Sequence, residues 1–108
     1  MRPFLTVLAD VAAGSVCPDR LRGVVDHIWE SRRLGRIVFT VPMRPVIERQ
    51  LAEAIAARLG MGARLTALQI AAAQISVIDA WISGAIAASP DEIIAAIAAT
   101  RQLAPVPQ

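Results

Sequence analysis

What this chain has little of narrows its function first. Cys17 is the only cysteine among 108 residues, so no intrachain disulfide can form and a disulfide-stapled scaffold is excluded. There is no tyrosine and no lysine, and aromatic residues are limited to two phenylalanines and two tryptophans. Eleven basic residues, all arginine, stand against nine acids, and a net charge of +2 is too small to imply a nucleic-acid partner. His27 is the single histidine. Alone it has no companions at metal-ligand spacing, so no metal and no cofactor are expected. No glycine-rich phosphate loop and no nucleophile-elbow motif occurs, and no enzymatic activity is expected. The opening run MRPFLTVLAD is broken by Asp10 and does not read as a signal peptide.

What is present is alanine and aliphatic side chains: 56% of the residues are hydrophobic. The best candidate for a membrane span is the window from Leu65 to Ala88. It holds Gln69, Gln74 and Asp79, and an aspartate near a bilayer centre costs about 2.5–3.5 kcal/mol. The chain is therefore expected to be soluble and cytoplasmic, with no membrane partner. Its length suits one domain, small enough to benefit from an oligomer interface.

The segment pattern predicts an all-α fold of about five helices. Pro3–Ala13 opens with proline in a first turn and stops at Gly14. Pro18–Arg33 is amphipathic, with Leu21, Val24, Val25 and Ile28 on one face. On its polar face Arg22–Asp26 and Glu30–Arg33 have the spacing of local ion pairs. Arg32, Arg33 and Arg36 form a basic cluster suited to a helix C-terminus. Leu34–Met43 is ambiguous. Ile37–Val41 would suit a buried strand, but no second segment offers to pair with it, so a short helix or turn is expected. Pro45–Leu59 carries a stripe of Ile47, Leu51, Ile55 and Leu59, with Arg49–Glu53 as an exposed pair and Gly60 as its stop.

The longest helix is expected over Arg64–Ala88. Leu68, Ile70, Ile75, Val77, Ile78, Trp81, Ile82 and Ile86 cover about half of its circumference. Behind them Ala73, Ala80 and Ala87 recur at heptad spacing, beside Gln69, Ser76 and Ser83. Ser89–Leu103 follows. Ser89-Pro90-Asp91-Glu92 is a capping box with proline in the first turn and acids at the positive end of the dipole. Ile93, Ile94 and Ile97 make its stripe, and Ala95, Ala98 and Ala99 line the other side. The tail from Ala104 to Gln108 contains two prolines and should fray.

The run Arg-Leu-x-Ala-Leu…Ala-Trp-Ile, followed by an S-P-D-E-capped alanine-rich helix, resembles the C-terminal half of TetR-type transcriptional regulators. Leu21–Met43, with its Leu-Gly-Arg-Ile-Val-Phe segment, and Pro45–Leu59 are similar to the helices that precede it there. The resemblance implies an effector-binding and dimerisation domain of a repressor: an antiparallel bundle whose last two helices form a four-helix interface with a second copy. It departs from such regulators in having no helix-turn-helix, so the chain looks like the regulatory half alone, binding DNA only through a domain it lacks.

Two sets of residues follow. An apolar small-molecule effector would meet Trp29, Phe39, Met43, Gln74 and Trp81, bulky groups with one amide anchor. The homodimer seam would run over Gln69, Ala73, Ser76, Ala80, Ser83 and Ala87, and over Ile94, Ala95, Ala98 and Ala99. The competing reading is a structural or interaction bundle that dimerises and takes no ligand. A large apolar pocket would favour the first, a fully packed core the second.

Overall fold

A computed structural model describes residues 2–38, 43–60 and 62–103. Six α-helices and a closing 3₁₀ turn account for nearly all of them, with no strand among the described residues. They are α1 (Arg2–Ala13), α2 (Pro18–Glu30), α3 (Arg32–Val38), α4 (Arg44–Leu59), α5 (Arg64–Ile82) and α6 (Pro90–Ala99), then the turn Thr100–Leu103. The all-α expectation holds. The short helix expected in the stretch from Leu34 is present as α3, which ends with Ile37 and Val38, and residues 39–42 lie outside the described set.

One core joins all the long helices. α1 contributes Val7, Leu8, Ala9, Val11 and Ala12, all buried. α4 contributes Ile47, Leu51, Ala52 and Ile55, and α5 contributes Ala67, Ile70, Ala71, Gln74, Ile75, Ile78, Trp81 and Ile82. The α4–α5 packing is the most extensive in the molecule and α1–α4 comes next. Ala52, Ala67 and Ala71 lie on the buried faces and let these helices approach closely. α5 is long and apolar enough to cross a membrane by length and composition. A central helix of a bundle has the same composition, because it is covered on several sides.

Three helix boundaries differ from expectation. α2 stops at Glu30, and Ser31 turns the chain, its N–H directed at the carbonyls of His27 and Trp29. The restart as α3 turns Gly35 toward α5, where an added Cβ would come within 3.0 Å of Ile82 Cδ1. α5 ends at Ile82, six residues before Ala88. Gly84 there adopts φ +83°, and the Ile86 N–H reaches back to the Ala80 carbonyl at 3.2 Å. Ile86 and Ala87 therefore belong to the link between α5 and α6 and not to the helix. α6 keeps its reciprocal capping box: Glu92 N–H donates to Ser89 Oγ at 3.2 Å, and Ser89 N–H donates to Glu92 Oε1 at 3.0 Å. Its last turn tightens into 3₁₀ geometry from Thr100.

The ion pairs also differ. Arg22 bonds Asp91 on α6 at 2.6 Å rather than Asp26, and Asp91 raises its guanidinium above the ordinary arginine value, by hydrogen bond first and by charge second. Glu30–Arg33 and Arg49–Glu53 are not among the ion pairs of the described residues. Asp10 instead takes Arg58 at 2.9 Å and Arg20 at 3.9 Å, tying α1 to α4 and α2. Arg44 joins Glu48 at 3.0 Å and Asp79 at 2.6 Å, tying the start of α4 to the last turn of α5.

Candidate functional site

Of the five candidate effector residues, two meet each other. Trp29 on α2 stacks on Trp81 on α5, ring centroids 4.6 Å apart and planes 19° from parallel. Arg32 covers Trp29 at 4.3 Å and donates to the Trp29 carbonyl at 2.9 Å. Trp81 is buried and its Nε1–H donates to the Ala88 carbonyl at 2.9 Å. This ladder of cation and two indoles fastens the end of α2 to the end of α5 and to the α5–α6 link. Trp81 makes its polar bond inside the fold, and Trp29 gives its face to another ring.

Gln74 is separate from that ladder. It is fully buried, and its Nε2 donates to the Leu8 carbonyl and to Thr100 Oγ1, each at 3.1 Å. Thr100 in turn donates to the Ile97 carbonyl at 2.6 Å. The amide thus joins α1, α5 and the turn after α6, and its Oε1 has no hydrogen-bond partner. Met43 stands 46% exposed at the N-cap of α4, and Phe39 lies outside the described residues.

The described concavities lie elsewhere. A groove of about 740 Å³ runs between α4 and the first turns of α5, lined by Arg49, Ala52, Glu53, Ala56, Arg64 and Leu68 among others. A second, of about 350 Å³, lies between α1 and α2 around Phe4, Val24 and His27. Both are open surface grooves, and none of the five candidates lines either. No group of three or more histidine, cysteine, aspartate or glutamate side chains suited to a metal occurs among the described residues.

The expected seam residues lie toward the outside. Gln69 and Ser76 are exposed, and Ala73 and Ala80 are half-buried on α5. Ala95, Ala98 and Ala99 are exposed on α6, and Ile94 is half-buried. Ser83 and Ala87 are exposed but lie past the end of α5, so the heptad series stops one member short in each row. The outer face of α5 also holds residues that the sequence reading assigned otherwise or left out. Leu68, expected in the inner arc, is 47% exposed, Leu65 is 78% exposed, and Ala72 faces outward between them and Ser76. The usable signal was charge. Between Arg64 and Asp79 the helix has no ionisable side chain, although the 3.6-residue period must turn some of those positions outward.

No family model, curated protein or solved structure matches this chain.

Proposed function

We propose that this chain is a self-association module, the dimerising regulatory half of a TetR-type transcriptional regulator, joined to a second copy through α5 and α6. The observation that carries the reading is the uncharged outer face of α5, beside the exposed alanines that follow the acidic first turn of α6. α5 presents Leu65, Leu68, Gln69, Ala72 and Ser76 to solvent without one charge among them, and α6 presents Ala95, Ala98 and Ala99. A solvated face of a soluble helix normally carries charges, as the outer face of α2 does with Asp19, Arg22, Asp26 and Glu30. Alanine and serine let a facing helix come close, and Gln69 and Ser76 supply hydrogen bonds without bulk. Two helices from each subunit make a four-helix interface about a two-fold axis.

Effector binding is the weaker half of the proposal. The candidates do not converge on one cavity: Gln74 and Trp81 spend their donors inside the fold, and the two grooves lie elsewhere. That arrangement favours a dimerising bundle over a ligand-binding one. Light scattering on the unsubstituted chain at micromolar concentration tests the reading, with a dimer expected. Ala72→Glu and Ala98→Glu, both at solvent-facing positions, should leave the subunit folded and shift it to monomer, because a carboxylate buried without a partner costs several kcal/mol. A monomeric unsubstituted chain refutes the proposal.

A further inference from the structure

A second apolar surface lies away from the uncharged outer face of α5. It gathers at the C-terminal end of α5, where α3 packs. Gly35 turns toward Ile82, and Arg36 Nε donates to the Ile82 carbonyl at 2.6 Å. α3 is thereby pinned by one face, and its other face carries Leu34 and Ile37, each 67% exposed. The start of α4 is tied to the same end of α5 by Arg44–Asp79 and adds Met43 and Val46, 46% and 41% exposed. Ile86, 46% exposed, is held there by its bond to the Ala80 carbonyl.

α3 itself carries charge of one sign, and the acids around it are Glu30, Asp79 and Glu48. Arg32, Arg33 and Arg36 all stand on α3. Arg32 and Arg36 bond backbone carbonyls at the ends of α2 and α5, which orients their charges without neutralising them, and Arg33 is in none of the ion pairs of the described residues. The nearby carboxylates, Asp79 and Glu48, are both held by Arg44. Glu30, on the last turn of α2, is the remaining nearby acid and pairs with none of the three.

We propose that this end of the molecule docks on an anionic lipid surface, with Leu34 and Ile37 entering the headgroup boundary and the α3 arginines contacting lipid phosphates and carboxylates. Interfacial helices of this kind combine an apolar face with flanking cations. A free seven-residue helix would first have to fold, but α3 is already built onto the bundle. Trp29, beside Arg32 at the rim and 37% exposed, suits the interfacial zone where indoles concentrate. Charge decides against a second copy as the occupant: a two-fold contact through this end would set one basic helix beside another, whereas anionic headgroups complement all three cations.

Sedimentation of the full chain with vesicles tests this. Phosphatidylcholine vesicles containing about a third phosphatidylserine should carry the protein down and blue-shift its tryptophan emission, and phosphatidylcholine alone should not. High salt should release it. Arg33→Gln should lower partitioning roughly fivefold, the equivalent of about 1 kcal/mol for one cation at an anionic surface. Leu34→Asp with Ile37→Asp should abolish it, and circular dichroism should show both variants folded, since neither changes a buried side chain. Four results overturn the proposal: no sedimentation with anionic vesicles, equal binding to neutral ones, indifference to both variants, or a lipid-independent change of oligomeric state in Leu34→Asp. The last assigns the surface to a second copy. Because Ala98→Glu should alter dimerisation and not vesicle binding, failure here is distinct from failure of the self-association reading.

Discussion

Gln74 is a buried amide with half of its hydrogen-bonding capacity used, and that makes its substitution informative. Its two donor bonds, to the Leu8 carbonyl and Thr100 Oγ1, contribute about 1 kcal/mol each. Against them, an orphaned buried carbonyl costs about 1–3 kcal/mol. Gln74→Met keeps the length, gives up both bonds, removes the orphan and replaces an amide by apolar atoms. These effects nearly cancel, and a net change within about 1 kcal/mol is expected. Gln74→Ala gives up the same bonds and removes the same orphan, but leaves a cavity under α1 and the last turn, and should cost about 2 kcal/mol more than the Met variant. Urea denaturation at one fixed protein concentration, needed because the proposed self-association would add to apparent stability, measures both. If Gln74→Met costs well over ~1 kcal/mol relative to the unsubstituted chain, the carbonyl is satisfied in solution and the reasoning is wrong. A near-neutral Gln74→Met identifies Gln74 as a core residue whose amide is dispensable, and the gap to Gln74→Ala measures the cavity.

Two further stability predictions test the local geometry. Ser89→Ala removes the acceptor for Glu92 N–H and should cost about 1 kcal/mol, measured by the same denaturation, with Ser89→Gly costing only a few tenths. A double-mutant cycle of Trp29→Ala and Trp81→Ala should give a coupling of about 0.5–1.5 kcal/mol for the stacked pair, and additive effects would show that the rings do not interact in solution.

The parts of this fold that were legible in the sequence are those decided within a few residues. Ser89, Pro90, Asp91 and Glu92 specify the start of α6 among themselves, and the observed cap matches that reading in both of its bonds. Proline and glycine likewise placed the ends of α1 and α4 to within a residue of the observed limits. The end of α5 was misplaced because Gly84 is tolerable inside a helix. What stops the helix there is a left-handed glycine together with a link that folds back, with Ile86 bonded to Ala80 and Ala88 to the Trp81 indole. Neither partner choice is visible in a local window. The ion pairs failed for a related reason. An exposed pair three or four residues apart is worth only a few tenths of a kcal/mol, so a carboxylate brought near by tertiary packing, as Asp91 is to Arg22, displaces it readily.

The candidate site was harder to read, and the reason is physical. Buried indoles and amides have the same composition whether they line a ligand cavity or close a core; what separates the two is where their donors go. Gln74 finds Leu8 across 66 residues of sequence and Trp81 finds Ala88, so both are claimed by the fold before any effector arrives. Composition is more informative on an outward face, because solvent there normally selects for charge. The outer surface of α5 from Leu65 to Ser76 has none, and that of α3 pairs Leu34 and Ile37 with arginines that are in none of the ion pairs of the described residues. Two surfaces with these different characters suit the two proposed coverings: close helix packing for the small uncharged one, and an anionic apolar boundary for the basic one. With the Gln74 and Trp81 donors taken inside the bundle, the surfaces that suit the proposed functions are on the outside.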